Sequence, residues 1–98
     1  MKIYQLKPNK KETLLAWGRE LMTTHRAEAL ATLAEEHCTH EFGYIFSIGD
    51  VDYAALHMEG ISILPPRESD LNKKHKELLR DCIEHSLDLK EIYDLIAE

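Results

Sequence analysis

The segment from His40 to Gly60 constrains the fold of this chain more than any other part of the sequence. Residues that favour strands occur over 41–48 and again over 53–59, and Gly49-Asp50-Val51-Asp52 between them has the composition of a turn. We therefore expect an antiparallel hairpin with one strand from Glu41 to Ile48 and the next from Tyr53 to Glu59.

The two faces of this hairpin differ in composition, because alternate side chains of a strand lie on opposite sides of a sheet. With a turn of two or four residues, we expect the pairs Ile48–Tyr53, Phe46–Ala55, Tyr44–His57 and Phe42–Glu59. A three-residue turn with a bulge would shift this register. One face then carries mainly aromatic and polar side chains, namely Phe42, Tyr44, Phe46, Ile48, Tyr53, His57 and Glu59. The other carries small and aliphatic ones, namely Gly43, Ile45, Ser47, Ala54, Leu56 and Met58.

The rest of the pattern predicts one more strand before the hairpin and a helix on either side of it. Lys2 to Lys7 has the alternation of a short strand that ends at Pro8. An apolar stripe predicts a helix from an Asn9 cap to about His37, with a bend or break near Thr23-Thr24-His25. A second stripe predicts a helix that is capped by Ser69 or Asp70 and ends near His85.

The segment from Asp88 to Ala97 fits either a helix or a strand by its local pattern. Topology favours the strand, because a strand here completes a βαββαβ unit with right-handed crossovers. We therefore predict an α+β fold, a ferredoxin-like domain with an antiparallel sheet that spans residues 1–98.

Composition narrows the classes of function and the cellular location. With 98 residues, 44% of them hydrophobic, the chain can bury one core. A formal charge of −6 argues against a nucleic-acid partner. Cys38 and Cys82 have no paired spacing, and the sequence has neither a signal peptide pattern nor an apolar run long enough for a membrane span. We expect a cytoplasmic protein with reduced thiols, no membrane partner and no cofactor.

Several short strings resemble a family of small uncharacterised bacterial proteins that is similar in fold to the dimeric α/β barrels. The strings are Leu6 to Pro8, Ala29 to Leu33, His75-Lys76 and Leu89 to Leu95, and together with the hairpin they span nearly the whole chain. The resemblance implies a homodimer in which two sheets face one another. The aromatic face leads to the same expectation independently, because an apolar patch of this size calls for a partner.

His57 is the first candidate for chemistry. It lies on the predicted aromatic face, opposite Tyr44 and two residues from Glu59, so an imidazole, a phenol and a carboxylate could share one cavity. Such a set could bind a ligand or exchange a proton near neutral pH. In the alternative interpretation, His57 and Glu59 only hydrogen-bond to each other or to a partner subunit.

His25 and His75 are the weaker candidates, as metal ligands. Each lies in the apolar stripe of a predicted helix, and the two could meet and bind a metal, or each could be a core histidine with its own hydrogen-bond partner, such as Glu28 for His25. The string from His37 to Glu41 contains metal-capable side chains without the spacing of a zinc site. Trp17 could anchor an interface or pack internally.

The sequence as a whole predicts a homodimeric α/β barrel that holds a small organic molecule against the aromatic face. The ligand residues would be Tyr44, Phe46, Tyr53, His57 and Glu59, with His57 as the catalytic group if there is a reaction. Two alternatives stay open: a non-catalytic homodimeric interaction protein, and a metal protein that uses His25 and His75. The sequence does not decide whether the chain is an enzyme.

Overall fold

A computed structural model describes residues 1–97 of the chain as a mixed α+β fold. The elements in this part of the chain are β1 (Lys2–Leu6), α1 (Lys11–Met22), α2 (Arg26–Glu35), β2 (His40–Ile48), β3 (Val51–Glu59), α3 (Asp70–Cys82) and β4 (Ile83–Ser86). The strands form one antiparallel sheet in the order β2-β3-β1-β4. None of the helices described is both long and apolar enough to cross a membrane.

The core lies between one face of the sheet and the helices. Leu6 of β1 and Ala54 of β3 are almost fully buried on the sheet side. From the helices, α1 contributes Trp17 and α3 contributes Leu71 and Cys82, all of them buried. Ala54 belongs to the hairpin face of small and aliphatic side chains, so that face lies under the helices.

The register of the hairpin differs from the predicted one by two residues. The turn consists of Gly49 and Asp50 alone, with Gly49 in the left-handed region at φ 60°. Val51 and Asp52 therefore continue β3, and the pairs are Ile48–Val51, Phe46–Tyr53, Tyr44–Ala55 and Phe42–His57. The predicted pairs were wrong, whereas the predicted faces are correct, because a shift of two residues returns each side chain to the same side.

The predicted break in the first helix is confirmed at the two threonines. The α1 helix ends at Met22 and α2 begins at Arg26. The Thr23 hydroxyl donates to the carbonyl of Arg19 at 2.7 Å, a local bond that competes with regular helix geometry. The predicted Asn9 cap was wrong: Asn9 has a φ of 63° in the preceding turn, and Lys10 occupies the N-cap position.

The last strand lies earlier in the chain than predicted. The α3 helix ends at Cys82, not near His85, and β4 follows at once over Ile83–Ser86. Its antiparallel course along β1 finishes where the Leu87 amide donates to the Ile3 carbonyl at 2.8 Å. Because β1 begins at Lys2, β1 has no further residues with which the chain could pair beyond this point. Up to residue 97, the described chain after Ser86 contains neither a helix nor a strand, so the strand predicted over Asp88 to Ala97 was wrong.

Candidate ligand site on the aromatic face

The five predicted ligand residues all lie on the sheet face opposite the helices. We use "aromatic face" for Phe42, Tyr44, Phe46, Ile48, Tyr53, His57 and Glu59. This face is open: Tyr44 is 64% exposed, Phe46 37% and Ile48 66%, whereas Ala54 on the opposite face is 1% exposed. Contiguous exposed apolar surface of this kind marks an interaction site more often than a simple solvated surface.

The rings on this face form two groups. Near the turn, Phe46 and Tyr53 are cross-strand partners, and their rings stack with centroids 5.2 Å apart. Toward the other end of the hairpin, the Phe42 ring lies 5.6 Å from that of Tyr44 and 5.2 Å from that of His57. Phe42 and Phe46 are four residues apart along β2, which places these two residues about 13 Å apart with Tyr44 between them. That span matches a small organic molecule.

The polar part of the face is a cluster of two histidines around one carboxylate. Glu59 lies with Oε1 at 3.3 Å from Nε2 of His57 and with Oε2 at 3.9 Å from Nδ1 of His40. We call these three residues the His40–Glu59–His57 cluster. His57 is 28% exposed, and the other two side chains are more than half exposed. The predicted proximity of His57 and Glu59 is present, but the residue opposite His57 is Phe42 and not Tyr44.

His57 has one ring nitrogen that faces no polar partner. Its Nδ1 atom is buried from solvent, and no hydrogen-bond partner for it occurs in the described part of the chain. Buried polar atoms are usually paired, so an unpaired one calls for an explanation. With Nε2 directed at Glu59, Nδ1 is the ring nitrogen of His57 that residues 1–97 leave without a hydrogen-bond partner.

This arrangement suits a molecule with an apolar ring and a polar end. The aromatic rings offer stacking and edge contacts, and a histidine held by a carboxylate has a defined ring orientation for accepting or donating a proton. His40 and Phe42 belong to this set, although sequence reasoning left both out of the ligand residues. The signal was present: extending the period of two back from Phe42 places His40 on the same face.

His25, which precedes α2 and is not inside a helix as predicted, and His75 of α3 lie beside one indole ring. The centroid of the Trp17 ring lies 5.8 Å from that of His25 and 6.0 Å from that of His75. His25 also approaches its predicted partner Glu28, with Nδ1 at 4.0 Å from Oε1. Across residues 1–97 no three His, Cys, Asp or Glu side chains converge as metal ligands would. Trp17 is 2% exposed, so it packs internally.

The side chains of the string from His37 to Glu41 lie in different environments and do not form one group. Cys38 is buried and its Sγ lies 3.4 Å from the His40 carbonyl oxygen, whereas the His40 side chain joins the cluster around Glu59. Burial, and secondarily the nearby Glu36, raises the pKa of the Glu41 carboxyl.

Cys82 is completely buried, and burial raises the pKa of its thiol, which disfavours the nucleophilic thiolate.

Two shallow pockets lie away from the five predicted ligand residues. One, of about 310 Å³, is lined by the start of β1 and by Ser86, Leu87 and Leu89. The other, of about 450 Å³, is lined by residues from Gln5 to Glu12 and by Asp50 to Asp52. Neither pocket is lined by any of the five predicted ligand residues.

Comparison with known proteins gives a family and no function. The model of a family of unknown function, DUF6176, matches residues 1–96. No curated protein and no solved structure matches the chain.

Proposed function

Because the chain belongs to the DUF6176 family, whose function is unknown, we propose a function from its own site: a homodimer that binds a small organic molecule. In this proposal the aromatic faces of two chains oppose each other and enclose the ligand. The observation that carries the proposal is the aromatic face itself, which combines exposed rings with a His57 nitrogen that is buried and unpaired within the described chain.

The exposed area of the chain supports a dimer. Its solvent-accessible surface is 7675 Å² at a mass of 11.4 kDa. A compact monomer of that mass exposes about 5,800 Å², so the excess is about 1,900 Å². Homodimers that exist only as dimers bury roughly 1,000 to 2,500 Å² on each chain. The excess is therefore of the size that such an interface would remove.

The topology supports the dimeric α/β barrel as the architecture. With α1 and α2 taken as one interrupted helical segment, the element order is βαββαβ, the pattern of a ferredoxin-like domain. The sheet order, read from β4, is 4-1-3-2, which also agrees with that fold. A sheet with helices on one face leaves the other face free to meet a second sheet.

Each part of the site has a distinct role in the proposal. Phe46 and Tyr53 would stack on the apolar portion of the ligand, and Tyr44 would contact its middle. Glu59 would orient the His57 ring through Nε2. If a reaction occurs, His57 is the group that would move a proton.

The competing proposal is a non-catalytic homodimer whose aromatic faces are wholly used in the contact between subunits. The exposure of Tyr44, Phe46 and Ile48 favours it, because exposed apolar surfaces of two chains can close on each other without a cavity. The free thiols Cys38 and Cys82 support a reducing, cytoplasmic location for either proposal.

A metal site at His25 and His75 remains a prediction that elemental analysis can test.

Native mass spectrometry combined with a dye titration tests the proposal. We expect twice the chain mass of 11.4 kDa, together with a retained small molecule or a saturable site for anilinonaphthalene sulfonate. The variant His57→Ala should stay dimeric and bind the dye at least about tenfold more weakly. The control His85→Ala changes an exposed histidine on the same side of the sheet, opposite Gln5, and should bind the dye normally.

The other outcomes separate the proposals. A monomer at all accessible concentrations would contradict both dimeric functions. A dimer that carries no small molecule and binds no dye would leave the interaction protein as the better interpretation. Equal dye binding by His57→Ala and the parent chain would remove His57 from the site.

A further inference from the structure

Residues 87–97 form an apolar segment that contacts little of the rest of the described fold. We call residues 87–97 the C-terminal arm. Within the described chain the arm has no helix or strand, and only its start is held, by the bond from the Leu87 amide to the Ile3 carbonyl. Four of its apolar side chains are strongly exposed, namely Ile92 (92%), Tyr93 (77%), Leu95 (86%) and Ile96 (84%).

The molecule is larger than a compact domain of its length. The radius of gyration is 14.7 Å. A compact chain of 98 residues would have about 12.6 Å. An exposed apolar extension of this kind is costly in water, since each large side chain gains about 1.5 to 3 kcal/mol on burial. The arm therefore calls for a surface that covers it.

The sequence of the arm has the alternation of a strand. Side chains at odd positions are mostly apolar. The even positions are mixed, with charged Asp88, Lys90 and Asp94 and apolar Ile92 and Ile96. A strand with this pattern places one apolar side and one mixed side on the two faces of a sheet. The odd apolar positions are Leu87, Leu89, Tyr93 and Leu95.

The strand β2 offers an unpaired edge of matching length. It is nine residues long and lies at the edge of the sheet, where β3 is its only partner strand within residues 1–97. Ile48 and Val51 flank a two-residue turn and so form a hydrogen-bonded pair, which leaves alternate backbone groups of β2 directed outward. These outward groups belong to Glu41, Gly43, Ile45 and Ser47. Apart from Glu41, β2 has no residue with a formal charge, whereas exposed edges are usually protected by charges or by a covering segment.

We propose that the C-terminal arm of one chain adds as a further strand to the β2 edge of a second copy of the chain, and that the second copy returns the same contact. The arm leaves the sheet at β4, the edge opposite its own β2. Eleven extended residues span about 36 Å, which is enough to reach a neighbouring sheet. Strand addition to an open edge is an established mode of recognition, and reciprocal exchange gives a closed two-fold dimer. This inference rests on the homodimer proposed above.

The exchanged strand would also complete the ligand site. A strand beside β2 continues both faces of the sheet, and one side of the arm would extend the aromatic face past Tyr44 and Phe46. The partner chain would thereby supply apolar side chains to a site that is open in the single chain.

Residue-resolved hydrogen exchange on the full-length chain tests the exchanged strand. In the parent dimer, outward amides such as those of Gly43 and Ile45 should exchange at least about 100-fold more slowly than free amides. The double variant Ile92→Pro and Tyr93→Pro removes an arm N–H whichever register the arm adopts, and should abolish this protection. The control variant Ile92→Val and Tyr93→Phe keeps the amides and the apolar character, and should retain it.

Nuclear Overhauser effects in a sample mixed from ¹³C-labelled and unlabelled chains identify which copy supplies the arm. Effects between chains, from arm protons to β2 protons, would support the exchange, whereas effects within one chain would overturn it. A dimer whose outward β2 amides exchange freely would overturn the arm inference and leave the proposed dimer intact. A monomeric parent would overturn both.

Discussion

The indole Nε1 of Trp17 donates a hydrogen bond to Nδ1 of His75, with 2.7 Å between the two nitrogens. An imidazole nitrogen can accept this bond only when it carries no proton, so the contact fixes His75 as the neutral form with its proton on Nε2. Burial also lowers the pKa of His75. His25 and the Lys74 ammonium, 5.2 Å from the centre of the indole ring, contact the same tryptophan.

The first prediction is a loss of stability in mild acid that originates at His75. The unfolded chain binds a proton at His75 near the ordinary pKa of 6.5, whereas the folded chain resists it because the pKa is lowered. The stabilising contribution is therefore complete above about pH 6.5 and is lost as the pH falls from there toward the folded-state pKa, by up to about 1.4 kcal/mol per pH unit. Urea unfolding followed by Trp17 fluorescence should show this slope.

The variant His75→Gln isolates this effect, because its side-chain oxygen can still accept from the indole. We expect its free energy of unfolding to change less than that of the parent between about pH 7.5 and pH 5. The control variant His85→Gln alters an exposed histidine on β4 and should keep the slope of the parent. An identical slope in His75→Gln and the parent would mean that other groups cause the acid sensitivity.

The second prediction contrasts two glycines. A Cβ atom on Gly60 would collide with the His37 carbonyl oxygen and lie 3.1 Å from the Cys38 Cα, both in the backbone. The variant Gly60→Ala should therefore lose about 1 to 3 kcal/mol of unfolding free energy. Gly18, inside α1, would meet nothing within 4 Å, so Gly18→Ala should gain about 0.5 to 1 kcal/mol from helix propensity. Thermal unfolding of both variants measures the difference, and a stable Gly60→Ala would show that the 37–38 backbone can move aside.

The third prediction concerns the start of α3. The Ser69 hydroxyl oxygen accepts from the backbone amide of Asn72 at 3.1 Å and caps the helix, so of the two predicted caps, Ser69 and Asp70, it is Ser69 that serves. The variant Ser69→Ala should lose about 1 kcal/mol, whereas Ser69→Asp should keep the cap and stay near the stability of the parent. Chemical denaturation compares them, and equal losses in both variants would contradict a capping role.

The sequence predicted those features that depend on local periodicity. The two faces of the hairpin follow from the alternation of side chains along a strand. They were predicted correctly despite the wrong register, because Val51 and Asp52 both belong to β3 and a shift of two residues keeps every side chain on its face. Periodicity could not place the last strand. Asp88 to Ala97 has the alternation of a strand, but β1 begins at Lys2 and so provides no residues for the chain to pair with beyond Leu87. A strand exists only where another strand can pair with it, and that information lies outside the segment.

The candidate site was also predicted only in part, because local periodicity is readable from the sequence and three-dimensional packing is not. Its aromatic residues lie on one face because they occupy alternate positions along the strands. Glu59 was predicted to lie beside His57 because the two are two positions apart in β3. His40 was missed because it was grouped with Cys38 as a potential metal string, although it is the first residue of β2. The unpaired state of the His57 Nδ1 atom depends on packing in three dimensions, which no sequence pattern reports.

The final prediction tests whether the aromatic face is the dimer contact. Tyr44 is 64% exposed, and its one aromatic neighbour among the described residues is Phe42. In the variant Tyr44→Lys the chain's own fold should change by less than about 0.5 kcal/mol, because little buried surface is lost. The dimer should weaken at least about tenfold, because two opposed faces would each bring an ammonium group into an apolar contact. Sedimentation equilibrium measures the dissociation constant, and urea unfolding at low protein concentration measures the stability of the fold.

The variant Leu30→Lys provides the matched control, because Leu30 is a 51% exposed apolar residue on α2, away from the sheet. It introduces the same charge and should leave the dissociation constant of the dimer unchanged. If Tyr44→Lys and Leu30→Lys dimerise equally well, the contact between chains does not use the aromatic face. In that case a dimer would have to form through another surface, and the proposed ligand site would face solvent in every chain.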